Sequence, residues 1–494
     1  MYPRTLQTRG HPFSARTKTR ILIILFVCLA ARLVLFGVFQ PWNPDVESER
    51  VLWRDAVGYH RLAITLIEAH RFAYEKTGQP DALRTPLYPG LVAITYSAFG
   101  YRPWVVMVVQ ILLDILACLL MFLSLSRMFD EKVGLLAAGF YSLEPFLILY
   151  SAANLVSDSL FILLVILTLY LVAPYKGEIA SRRGLLRFGL SGLSIGLATL
   201  TRPVSIYLPV CVAIFLLLAC RRNARIALRY SAVTIVVFLI TISPWLYRNL
   251  KTFGYLSLST SGQYNLLVLD VTPMEMSRRH LDRETVKQEL LAEADEMMDN
   301  AGKNPSELNR FQVAEYWNRL ARRYIADNPT AFAHGYLLGV SNLFLNLGTT
   351  DYGRTLGLKP MQVDFLQDMN VLGRLRAFMK EAGMARLLIA APIAIFLLLS
   401  YLGAALGVIV SWRIYDWRNI LLVLLFGLYF VLVTGPAGLA RFKLPSIPFY
   451  LAFSAIGYSF VYTKLLVRKH AQGDGRPECA VSASEQLHGN SVED

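Results

Sequence analysis

The sequence predicts an all-α polytopic protein that crosses a membrane about ten to twelve times, and three observations carry that prediction. Of 494 residues, 55% are hydrophobic and 17% charged, with a mean hydropathy of +0.44, whereas soluble domains carry about 25% charge. The apolar residues are clumped: Ile21–Phe39, Trp104–Leu125 and Ser205–Ala219 hold almost no formal charge. Runs of about 20 apolar residues are long enough to cross a ~30 Å hydrocarbon core. Finally, bases gather just outside such runs, as in Arg16-Thr17-Lys18-Thr19-Arg20, Arg182-Arg183 and Arg221-Arg222. That is the positive-inside pattern. A soluble enzyme and a disordered chain are excluded. The net charge of +14 reads as topology, with no nucleic-acid partner implied.

The first run, 21–39, exceeds the 7–15 residues of a secretory core and lacks a small-x-small cleavage site, so it is expected to be a retained anchor behind a basic cytoplasmic segment, 1–20. Further spans are expected near 103–126, 133–151, 155–173, 186–201, 203–220, 228–247, 385–411, 418–435 and 444–465. With ten spans, the basic stretches Lys176–Arg187, Arg221–Arg229 and Lys464–Lys469 all fall on the cytoplasmic side. Counting 331–347 as a span would break that agreement, so this segment is expected to lie at the interface or to re-enter. The chain then divides into a transmembrane module at 21–247, an exoplasmic segment at 248–384, the last spans at 385–465 and a disordered cytoplasmic tail at 466–494.

Two exoplasmic segments have structure of their own. In the loop 40–102, Ala56, Tyr59, Ala63, Leu66, Ile67 and His70 recur at helical spacing and predict an amphipathic surface helix with Asp55 at its start. Pro86 suits the first turn of a second helix. Residues 285–326 read as one helix ending near Asn328-Pro329. The five cysteines (Cys28, Cys118, Cys211, Cys220, Cys479) form no metal-ligand or CxxC spacing.

Ionisable groups at an apolar boundary are costly and therefore informative. Here they collect on the exoplasmic side: Arg54-Asp55, Arg84-Thr-Pro86-Leu-Tyr88-Pro89, Asn154-Leu-Val-Ser-Asp158, Thr201-Arg202-Pro203, Pro244-Trp-Leu-Tyr-Arg248-Asn249 and Arg441-Phe-Lys443-Leu-Pro445. Asp55 could be a helix cap and each arginine alone a snorkelling anchor, but four arginines beside prolines point to anion binding. Arginine meets phosphate through a planar bidentate fork. Asp114 stands alone in mid-span and reads as a helix-packing group. Arg84, Arg202, Arg248, Arg441 and Lys443 are thus the candidate phosphate ligands, Asp55 and Asp158 the candidate catalytic carboxylates, and Tyr59, Tyr88 and Asn154 the candidate substrate contacts. Such a set suits a substrate with a lipid tail and a phosphorylated head. A carboxylate would take the proton from an acceptor hydroxyl. A divalent metal is one way to neutralise the leaving phosphate; arginines are another, and the sequence offers no ligand cluster for a metal.

The run Asp55-Ala-Val-Gly-Tyr59, then Arg84-Thr-Pro86-Leu-Tyr-Pro89, resembles the first exoplasmic loop of GT-C glycosyltransferases, nearest to the bacterial family-39-like protein mannosyltransferases and aminoarabinose transferases. The resemblance continues through Leu143-Glu-Pro145, Asn154–Leu160, Leu200-Thr-Arg202-Pro203, Pro244-Trp245, Arg248-Asn249 and Arg441-Phe-Lys-Leu-Pro445, covering about 20–465. It implies a GT-C-like bundle and an inverting transferase of the cell envelope, placed in the cytoplasmic (inner) membrane. The donor would be a polyprenyl-phosphate-linked sugar and the acceptor a lipid, protein or glycan. It also implies Asp55 as base and Asp158 as its support. The chain departs from that family in having Ala56 after Asp55, where a second acid is common.

Two other classes fit a polytopic chain. A lipid or glycan transporter or flippase would place charge along a path at the bilayer midplane, whereas here most charge lies at one face. An O-antigen polymerase or ligase type would share large outer loops, but not the early Asp55 motif.

Overall fold

A chain in hydrocarbon must satisfy its backbone hydrogen bonds internally, and the apolar runs accordingly fold as helices. The computed structural model describes residues 13–174, 184–305, 307–359, 373, 376, 383–434 and 437–473. Seven helices among them are long and apolar enough to cross a membrane. They are α1 (Ala15–Phe39), α4 (Pro103–Met128), α8 (Gly184–Thr201), α10 (Ala224–Phe253), α15 (Gly383–Ile414), α16 (Trp417–Thr434) and Ala440–Leu465, the last led by a 3-10 turn into α17 (Ile447–Gly473).

The segment expected as a span at 133–151 is broken into α5 (Glu131–Leu143) and α6 (Pro145–Ala152), bent by 54°. Proline lacks an N–H and pushes the residue before it out of the helical region. Glu144 is extended for that reason, and its carboxylate caps the restarted helix by accepting from the Leu147 N–H at 2.7 Å. Two other expected spans fold short. One is α7 (Asp158–Val172), which begins with a carboxylate where the helix dipole favours one. The other is the pair formed by the 3-10 turn Pro203–Ser205 and α9 (Leu208–Ala219).

Small residues let these helices approach closely, as membrane packing favours. A Cβ on Gly407 of α15 would strike the Phe453 carbonyl of α17, and one on Gly192 of α8 would strike the Thr234 carbonyl of α10. Asp114 of α4 is not alone, contrary to the sequence expectation. Arg32 of α1 donates from Nε to its Oδ2 at 2.5 Å, and both side chains are fully buried. Tyr141 donates to the other carboxylate oxygen at 2.5 Å, and Arg32 also reaches the Cys28 and Ser142 carbonyls.

The segment between α1 and α4 contains α2 (Asp55–Ala69) and α3 (Leu87–Phe99), packed on one another. The stretch expected as one helix at 285–326 is two, α11 (Arg283–Asn300) and α12 (Arg310–Asp327). Gly302 turns the chain at φ +67°, and Asn309 opens α12 with a capping box to Gln312. These helices share a small core of their own around Leu267, Val271, Leu290 and Leu320. The run expected at 331–347 forms α13 (Pro329–Leu345), whose Gly339 backs onto Gly438. It is followed by the short α14 (Thr349–Thr355). Of the tail expected to be disordered at 466–494, residues 466–473 form the end of α17 and the rest lie outside the described residues.

Candidate active site

The site is assembled from helix ends. Asp55 is the first residue of α2, Asp158 the first of α7, Arg202 follows α8, and Arg441 lies in the turn before α17. One guanidinium joins the two acids. Arg441 donates from Nη1 to Asp55 Oδ2 at 2.7 Å and from Nε to Asp158 Oδ2 at 2.8 Å. Arg84 takes the other Asp55 oxygen at 3.1 Å, and Arg202 takes the other Asp158 oxygen. Because residues 55, 158, 202 and 441 touch, these four chain segments meet at one end of the bundle.

The two carboxylates differ in environment. Asp158 is 2% exposed and wholly paired, whereas the Asp55 side chain is 48% exposed. Burial pushes the Asp55 carboxyl up, but the Arg441 and Arg84 guanidiniums outweigh that and hold it at about 2. Asp55 is not the helix cap; that position belongs to Arg54, whose backbone sits at φ 47°, ψ −112°. A side chain in that region costs about 1–3 kcal/mol, a strain common at functional sites.

Arg84 is held from several sides. Its backbone N–H donates to Asp81 Oδ2 at 2.9 Å, its guanidinium donates to the Tyr74 hydroxyl, and it lies over the Tyr59 ring at 5.0 Å. Gly58 makes room for it: a Cβ there would come within 2.5 Å of the guanidinium carbon. Gly58→Ala is therefore expected to leave folding nearly unchanged while displacing Arg84 from Asp55. The activity of the site should fall by about tenfold, the loss expected from one charge-assisted hydrogen bond; an unaltered rate would show that Arg84 need not sit there.

Of the other expected residues, Tyr59 belongs to the site, its hydroxyl 3.3 Å from Ser157 Oγ. Asn154 accepts from Arg354 Nη2 at 2.7 Å. The structure does not bring the remaining three to the carboxylates. Tyr88 is buried, donates to Gln110 at 2.5 Å and meets the site only edge-on through Tyr59. Arg248 donates to the Asp81 carbonyl at 2.9 Å and the Phe72 carbonyl at 3.3 Å, so it braces the loop that carries Arg84. Lys443 is buried, donates to the Asn346 carbonyl at 3.0 Å and lies over Phe146 at 3.7 Å. A residue two along a 3-10 turn from Arg441 points elsewhere, which spacing alone did not reveal.

Sequence reasoning also missed α14. Its Asp351 accepts from the Tyr150 hydroxyl at 2.6 Å, and Tyr150 lies under Arg441 at 6.0 Å. The run Asp351-Tyr-Gly-Arg354 just after an apolar helix was the available signal. Among the described residues no three His, Cys, Asp or Glu groups converge. The two carboxylates face guanidiniums instead, a poor donor set for a resident cation.

This geometry can be set beside known proteins. The structure matches the archaeal oligosaccharyltransferase AglB from Archaeoglobus fulgidus, solved with an inhibitory peptide and a dolichol-phosphate, with a TM-score of 0.54 over 96% of this chain at 15% identity. The chain has the GT-C fold. It spans only 53% of that oligosaccharyltransferase, and the apo form of the same enzyme gives a TM-score of 0.53 at 15% identity, over 92% of this chain and 52% of that one. Residues 83–247 match the family model described as dolichyl-phosphate-mannose-protein mannosyltransferase. That stretch of the GT-C chain carries Arg84, Asp158 and Arg202 but neither Asp55 nor Arg441. ArnT from Cupriavidus metallidurans in the apo state aligns at 16% identity over 90% of this chain and 78% of that one, with a TM-score of 0.39. At that score the GT-C assignment rests on the oligosaccharyltransferase. No curated protein matches the sequence.

Proposed function

We propose that this protein is a glycosyltransferase of the cytoplasmic membrane that moves a sugar from a polyprenyl-phosphate donor to a hydroxyl acceptor at the exoplasmic face, inverting the anomeric centre. The observation that carries this reading is the Arg441 guanidinium spanning Asp55 and Asp158, with Arg84 and Arg202 on their outer oxygens. Three guanidiniums offer a phosphate the charge and donors it gains as it leaves. The acceptor oxygen attacks the anomeric carbon, the bond from that carbon to the phosphate oxygen breaks, and the acceptor proton passes to the Asp55 carboxylate. Polyprenyl phosphate departs with the bonding electrons, its charge met by Arg84, Arg202 and Arg441. Asp158 holds Arg202 and Arg441 in place. The exoplasmic assignment follows from the basic loops at the other ends of the spans.

A transporter reading draws on the charges of α1 and α4. Those charges are buried and paired with one another, so they mark no open path.

Arg202→Ala and Arg441→Ala are each expected to weaken binding of a short-chain polyprenyl phosphate by about tenfold or more, since hydrogen bonds between charged groups contribute about 1.5–3 kcal/mol. Titration of the purified protein in lipid nanodiscs reads this directly. Wild-type affinity in both variants would remove the phosphate role. Transfer from a labelled polyprenyl-phosphate sugar, with the product's anomeric configuration read by NMR, tests the reaction itself.

A further inference from the structure

We infer that Trp53, Arg54 and Arg354 form a second anion-binding subsite, at the water-facing edge of the site, for a phosphate or carboxylate borne by a carbohydrate acceptor. The inference rests on the reading of the site as a sugar-transfer centre, but the subsite has its own geometry. The Arg54 and Arg354 guanidinium carbons each lie 5.8 Å from the centroid of the same Trp53 ring. Among the described residues no carboxylate lies within ion-pair distance of either, although Asp351 of α14 attracts Arg354 from further off. Among the described residues Arg354 makes one side-chain hydrogen bond, to Asn154, and its Nε is buried with no partner. A buried N–H left without an acceptor is uncommon and costly, and two like charges flanking one indole call for an anion.

The place of the subsite selects its ligand. Arg54 directly precedes Asp55, and its strained backbone turns the chain there. Arg354 is fixed on α14, which Asp351 ties to Tyr150 beneath Arg441. The donor's single phosphate is already answered by Arg84, Arg202 and Arg441, each with a side chain no more than 20% exposed. Trp53, in contrast, is 46% exposed. An open indole gives the C–H face of a pyranose a surface to stack on, and the adjacent arginines hold an acidic substituent bidentately.

The test uses the full chain in nanodiscs and two probes, methyl glucoside 6-phosphate and farnesyl phosphate, with neutral methyl glucoside as control. Wild type should bind the sugar phosphate at least about tenfold more tightly than the neutral sugar, the worth of one charge-assisted contact. Arg54→Gln and Arg354→Gln should each remove most of that preference and leave farnesyl phosphate affinity unchanged, while Arg441→Ala does the reverse. Arg354→Lys keeps the charge and should retain part of the preference, which separates a lost cation from a lost fold. Equal loss of farnesyl phosphate in the Gln variants would assign these cations to the donor and overturn the inference. So would wild-type protein that does not prefer the phosphorylated sugar. None of these arms needs turnover, so absent transfer with intact binding would count against the proposed reaction alone.

Discussion

Asp55→Asn is expected to lower the transfer rate by about 10²- to 10⁴-fold, the range that a positioned general base contributes. The substitution is close to isosteric, and the amide oxygen still accepts from Arg441 or Arg84, so folding and membrane insertion should survive. The measurement is turnover of a labelled polyprenyl-phosphate sugar under saturating donor and acceptor. Retention of a large part of wild-type kcat would remove Asp55 as the base. The pH profile carries a second signature. In the free protein Arg441 and Arg84 hold Asp55 at about 2, so the active, ionised form is lost only as pH falls through that value. A bound phosphate competes for the same guanidiniums and relaxes that hold. The acid limb of kcat, which reports the complex, should therefore lie at higher pH than the Asp55 limb of kcat/KM. Coincident limbs would mean that the arginines stay on the carboxylate during the reaction.

Asp114→Ala should be the most damaging single change outside the site. It leaves the Arg32 guanidinium unpaired between α1 and α4 and takes the acceptor from Tyr141. Breaking one partner of a buried pair costs about 3–5 kcal/mol, which is large beside the roughly 5–15 kcal/mol that hold a domain together. Thermal denaturation in detergent and the yield of monodisperse protein report the loss. Replacing both partners, Arg32→Met with Asp114→Leu, should recover much of it, because no charge is then stranded. A loss below about 1 kcal/mol in the single variant, typical of an exposed pair, would contradict the burial described.

The arginines that meet the carboxylates were legible because each sits beside a proline where an apolar run ends, and such ends gather at one face of a bundle. What the sequence could not convey was direction. Arg248 has the same credentials as Arg202, yet it turns toward the Phe72 and Asp81 carbonyls. Lys443 is two residues from Arg441 and buried against Phe146. Arg32 was hidden because a lone base in an apolar run has no visible partner until α4 packs beside it. Asp351 and Arg354 were hidden for a related reason. They belong to a long polar interval whose short helix has no periodicity of its own and is placed only by contacts about 200 residues away in sequence. The break at Gly302 was missed because helical periodicity resumes on both sides of it.

The bridge made by Arg441 also has a consequence for biogenesis. Its partners lie 386 and 283 residues earlier in the chain. While the ribosome is still making the later spans, Asp55 and Asp158 can meet only Arg84 and Arg202, and the cation that joins them is not yet in the membrane. The centre is completed only once the segment that carries Arg441 has been made. A product that stops short of Arg441 therefore carries most of the charges but not the junction between them.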